Sequence, residues 1–130
     1  MPNHRITKRL DESVIDTADI AYSTEHGAVL QFLGVVRELE EGRPLNGIRY
    51  SCYEKMAWQV LDQTIAGAQS EFGEHGLDFH HRLGFVSAAE PSVIVRVSTG
   101  HSQCAIDLLQ YYLRAVKTTL PIWKEPVFVS

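Results

Sequence analysis

Cysteine is scarce in this chain. The two present, Cys52 and Cys104, stand far apart and belong to no CxxC pair or Cys/His ligand spacing, which argues against a disulfide framework and against a zinc site. A reducing compartment suits such a chain. Long apolar runs are missing too: nowhere do eighteen apolar residues follow one another, and the opening MPNHRITKRLDES holds no apolar stretch of the kind that directs secretion. The expectation is a protein that is neither exported nor membrane-spanning, and therefore cytoplasmic. Basic charge is also in short supply. With a formal net charge of −4, the surface as a whole repels nucleic acid and anionic membrane, so any anion site has to be local. No basic stripe surrounds Tyr111, Tyr112 and Trp123, which read as core or interface residues and not as a base-stacking platform.

What is present is the composition of a chain that folds unaided: 45% hydrophobic and 22% charged residues, with no low-complexity tract and no internal repeat. A length of 130 residues predicts a single domain spanning 1–130. Residues 4–10 read as a short strand. Ser13 then offers an N-cap to SVIDTADIAYS, where Val14, Ala18 and Ala21 recur at helical spacing. The near-continuous apolar run AVLQFLGVVR after Gly27 predicts a strand covered on both faces and ending at Arg37. Acidic residues, Gly42 and Pro44 make residues 38–47 a solvated loop.

IRYSCYE resumes a strand, and from Glu54 a helix carries Ala57, Val60, Leu61, Thr64 and Ala68 on one stripe until Gly73 and Gly76 end it. LDFHHRLGFVS and SVIVRVSTG predict two further strands; in the second, Val93, Val95 and Val97 share one face and Arg96 shares the other with Ile94. Ser102 is the expected N-cap of the last helix, whose buried stripe is Ala105, Leu108, Leu109, Tyr112 and Val116. That helix has to stop before Pro121, and IWKEPVFVS can add an edge strand that tolerates Pro126. The order β-α-β-β-α-β-β-α-β predicts an α+β domain.

Four groups that are cationic or can become so stand at element ends: Arg37, His101, Lys117 and Lys124. In an acidic protein, cations at such places suit a ligand bearing phosphate, and a helix N-terminus at TGHS would add its own pull on an anion. Each also has a plainer reading. Lys117 at a helix C-terminus is favoured by the macrodipole alone, Arg37 can be a solvated loop charge, His101 a turn residue, and Ser102 a cap. Cys104 follows His101 by three residues, a spacing open to thiol–imidazole catalysis, but no third orienting group is evident and a small buried apolar residue near a helix start is the better account. His80 and His81 are adjacent on a strand and point to opposite faces, so one metal cannot easily take both. No motif calls for a metal or a resident cofactor.

GAVLQFLGVVRE, YSCYEKMA, HHRLG, STGHS and VKTTLPIWKE occur in the order, and at roughly the distances, of the large (catalytic) subunit of molybdopterin synthase, covering residues 27–125 nearly without interruption. The K-x-x-x-P-x-W-K block with the G-x-V-R strand end is the most specific part. The resemblance implies an α/β hammerhead-type fold, an antiparallel or mixed sheet with about three helices. It also implies a homodimeric core with a small ubiquitin-like sulfur carrier at each end, forming a heterotetramer. The carrier's Gly-Gly tail, activated as a thiocarboxylate, would supply both dithiolene sulfurs that turn cyclic pyranopterin monophosphate into molybdopterin. On this resemblance Lys117 is the principal catalytic residue and Lys124 lines the same pocket. Arg37, His101, Ser102 and Glu125 join the two lysines in binding substrate.

The sequence departs from the family at Ser102, where an arginine usually follows the motif histidine. A helix N-terminus offsets that loss by about 1 kcal/mol, without a guanidinium's bidentate geometry. The chain also ends at Ser130, earlier than in many members. Both departures leave a second reading open, a non-catalytic binding module of the same fold that keeps the partner groove or the anion pocket.

Overall fold

The structure, a computed structural model, describes residues 5–18 and 22–130. Its elements run β1 (Ile6–Asp11), β2 (Ala28–Val35), β3 (Leu39–Glu40), β4 (Arg43–Cys52), α1 (Glu54–Phe72), β5 (Gly76–Arg82), β6 (Gly84–Ser87), β7 (Pro91–Thr99), α2 (Ser102–Thr118) and β8 (Ile122–Phe128). A four-stranded sheet has the order β1-β5-β7-β2, with β1 parallel to β5 and the other pairs antiparallel. The second sheet is built on β4, which pairs with β3, β6 and β8. The fold is mixed α+β, with two helices among the described residues where about three were expected.

The valine alternation in β7 decides which face of the large sheet is covered. Register sets Val97 opposite Leu77, Val95 opposite Phe79 and Val93 opposite His81, so these six side chains share a face. Ala57, Leu61 and Ala68 of α1 and Ala105, Leu108 and Tyr112 of α2 pack on that face in one cluster. Truncating a side chain as deeply buried as Leu108 typically costs about 2–5 kcal/mol. A smaller cluster of Val36, Leu45, Ile48 and Val86 holds the second sheet together.

Several expectations need correction. The helix expected from Ser13 does not form over residues 13–18, which bend: the Asp11 and Asp16 carboxylates accept backbone N–H groups from Ser13 and Ala18, and such local bonds compete with helix. Ala21 and His4 lie outside the described residues. Residues 38–47 are not one loop but carry the β3–β4 hairpin, turned at Glu41 and Gly42, both at positive φ (51° and 75°), as a two-residue turn between twisted strands requires. β2 is not buried on both faces: none of its residues is fully buried and Gln31 and Val35 are exposed, and among the described residues it pairs with β7 alone at a sheet edge. The single strand expected over 77–87 breaks at Leu83, whose N–H donates to the Asp11 carbonyl, and Gly84 (φ 77°) redirects the chain into the second sheet. Ser102 is the first residue of α2, not its cap. The capping position is His101, in extended backbone with no side-chain capping bond.

Candidate functional site

α2 ends because Pro121 cannot continue it; Thr119 and Leu120 both donate to the Ala115 carbonyl, and Leu120 is buried beneath the turn. Lys117 therefore occupies the last helical turn, where its charge complements the helix dipole. The chain doubles back at once into β8, and the register with β4 sets Lys124 directly opposite Tyr50 and Ile122 opposite Cys52. Lys117 and Lys124, seven positions apart in sequence, thus line one cavity of about 480 Å³.

The cavity lies between the two sheets at the C-terminal end of α2. Phe32, Val35, Val93, Val116 and Ile122 supply its apolar wall, and Gly34 leaves room beside Val93. Its polar groups other than the lysines are Tyr50, His81 and Ser92. Ser92 Oγ lies 3.4 Å from the Gly34 carbonyl. Burial raises the pKa of the Tyr50 phenol, opposed by a side-chain hydrogen bond with Ser92 and reinforced by the Glu40 charge. Burial also pushes His81 down to about 4, so its imidazole is neutral near pH 7. Among the described residues the two lysines, both solvent-exposed, are then the only full charges on the lining, and both are positive. Chemically this is a half-apolar slot with a cationic rim, able to take a flat ring and an anionic group together.

The other expected site residues fall in different places. Arg37 is exposed and follows Val35, which lines the cavity, by two residues. His101 and Ser102 stand at the opposite end of α2 from Lys117, about 22 Å away along the helix axis. Glu125 pairs with Arg49 in the register, and strand alternation turns it to the face away from Lys124. Trp123 shares that face with Glu125 and, instead of packing inward, stays 53% exposed with its ring 5.6 Å from that of Tyr53. The Cys104 thiol sits 4.0 Å from the Phe72 carbonyl, a contact with α1. His80 and His81 do point to opposite faces: His80 Nε2 meets Asp11 Oδ1 at 2.8 Å, outside the helix layer. Among the described residues no cluster of three or more His, Cys, Asp or Glu side chains could hold a metal, and no helix is long and apolar enough to cross a membrane.

Sequence reasoning missed Tyr50, His81 and Ser92. The available signal was indirect: His81 pairs with Val93 across the strands, and it stands in HHRLG, one of the stretches that carry the resemblance.

The family model described as MoaE protein matches residues 7–119. A molybdopterin synthase catalytic subunit from Arabidopsis thaliana is 31% identical over 117 residues, 90% of this chain and 59% of the relative. Another, from Aspergillus clavatus, is 34% identical over 132 residues, covering 99% of this chain and 67% of the relative. The chain thus spans about three-fifths to two-thirds of the length of these curated relatives. The crystal structure of molybdopterin synthase from Staphylococcus aureus superposes with a TM-score of 0.83 at 25% identity, covering 100% of this chain and 94% of that one. With a family match running from the first strand to the end of α2 and the same fold in a solved relative, the chain belongs to the MoaE protein family.

Proposed function

We propose that this chain is the catalytic subunit of a molybdopterin synthase, a sulfurtransferase that converts cyclic pyranopterin monophosphate to molybdopterin. The observation that carries the reading is the meeting of Lys117 and Lys124 at one half-apolar cavity. The sulfur donor is a small ubiquitin-like carrier whose Gly-Gly end bears a thiocarboxylate. Its sulfur bonds to a pterin side-chain carbon as a C–O bond at that carbon breaks and the oxygen departs, as the opened phosphate ester or as water; water then cleaves the resulting acyl–sulfur link, and the carrier leaves as an ordinary carboxylate. A second round completes the dithiolene. Lys117 stabilises the oxyanion and thiolate charge that develops in these steps, and Lys124 with Arg37 holds the phosphate and the carrier tail in register.

Within one chain His101 and Ser102 are too far from the lysines to share a ligand with them. In a homodimer they serve the cavity of the second copy, and each end of the dimer takes one carrier. Glu125, on the other strand face, acts at the rim through the carrier tail and not on the pterin. The same reading makes 1–130 one catalytic domain working in the cytoplasm, where two free cysteines persist.

The test is to mix purified protein with thiocarboxylated carrier and cyclic pyranopterin monophosphate and measure dithiolene product. Product should form, and Lys117→Ala should lower its rate by about 10²–10³-fold, the loss expected for one stabilising group aimed at developing charge. No product under conditions where a His-Arg relative turns over would leave the binding-module reading, which Ser102 favours. Undiminished turnover in Lys117→Ala would remove that lysine from the chemistry.

A further inference from the structure

The proposed reaction gives tasks to the cations of the cavity and none to the neutral histidine in its wall. His81 is 5% exposed, on the helix-facing side of β5, with its ring set edge-on to Tyr50 at 5.0 Å and 70°. Its Nδ1 lies 2.9 Å from the Arg82 carbonyl. A carbonyl only accepts, so Nδ1 carries the hydrogen and Nε2 is left with its lone pair. Among the described residues that bond through Nδ1 is the ring's sole hydrogen bond. Nε2 is thus a fixed acceptor on a ring that lines the cavity. The preference is chemical: a lone pair repels phosphate and carboxylate oxygens and receives an N–H or O–H.

We infer that His81 is a specificity-determining residue: its Nε2 accepts a hydrogen bond from an N–H or O–H of the ligand's uncharged heterocycle, seated against the apolar wall while the ligand's phosphate meets the lysines. This rests on the pterin phosphate reading and orients that ligand, ring end inward and anionic end at the rim. The low affinity of His81 for a proton keeps the acceptor in place across the neutral range. Tyr50, packed against the imidazole, limits its rotation and supplies a second polar edge for a flat ring.

The decisive measurement is the dissociation constant for cyclic pyranopterin monophosphate beside that for inorganic phosphate. His81→Leu should weaken the pterin phosphate by roughly three- to tenfold, the effect of one neutral hydrogen bond, and leave inorganic phosphate unchanged. His81→Gln, which returns an oxygen acceptor near the Nε2 position, should recover binding to within about twofold of wild type. Lys124→Ala should weaken both ligands. In the unsubstituted protein the ¹⁵N resonance of Nε2 should move upfield when the pterin phosphate is added, a readout that stands even if the leucine variant does not fold. Equal affinity in His81→Leu, equal loss of both ligands, or an unmoved Nε2 resonance would overturn the role of His81 while leaving the sulfurtransferase reading intact. Failure of the unsubstituted protein to bind the pterin phosphate would instead bring down that reading, and this inference with it.

Discussion

A neutral histidine inside the protein has a consequence for stability that can be measured apart from function. Burial lowers the pKa of His81 to about 4, and burial also lowers that of His80 despite the opposing pull of Asp11. A group whose folded pKa lies below its unfolded value of 6.5 binds more protons when unfolded, so stability falls as pH drops from about 6.5 towards 4. For His81 the loss reaches roughly 3 kcal/mol at the acid end. Urea midpoints should fall steadily between pH 7 and pH 4.5, with a shallower slope in His81→Gln. The site residues were legible in unequal measure. Lys117 and Lys124 stood out because a proline between two lysines implies a reversal of the chain, whereas His81 and Ser92 look like ordinary strand residues until register shows which way they point.

At the scale of elements, periodicity was a good guide wherever one stripe faces the core. α1, α2 and β7 were all evident in sequence, and the buried residues Ala57, Leu61, Ala105, Leu108 and Tyr112 fall on the expected stripes. The failures have two causes that apolar spacing does not record, local polar contacts and left-handed backbone. Asp11 and Asp16 hold residues 13–18 in bends, and two residues at positive φ make a hairpin from a stretch whose composition suggests open loop. The break between β5 and β6 depends on Gly84 in the left-handed region. Gly84→Ala should therefore destabilise the fold by about 1–2 kcal/mol, seen as a lower denaturation midpoint. A change of equal size at Gly100, where nothing crowds an added Cβ, is not expected.

For the whole molecule, the separation of His101 from Lys117 along α2 turns a question about residues into one about assembly. If His101 serves the cavity of a second copy, Lys117→Ala and His101→Ala chains are each impaired alone but complement one another when mixed. Random 1:1 pairing in a two-fold dimer leaves about one quarter of the sites intact, so turnover near that fraction of wild type is expected after subunit exchange. No recovery would remove His101 from the cavity. None of this could be read from the linear order, which sets His101 and Lys117 on one helix without saying which copy's pocket each faces.

The cavity takes its walls from both sheets. Lys117, His81 and Val93 ride on the large sheet and its helices, whereas Tyr50 and Lys124 ride on the β4–β8 ribbon. Cys52 and Ile122 of that ribbon pack against the core of the large sheet, so the two walls are pinned together at the ribbon's end. The gap between them is therefore set by packing outside the cavity, and a guest too thick for it would have to loosen that packing before it could enter.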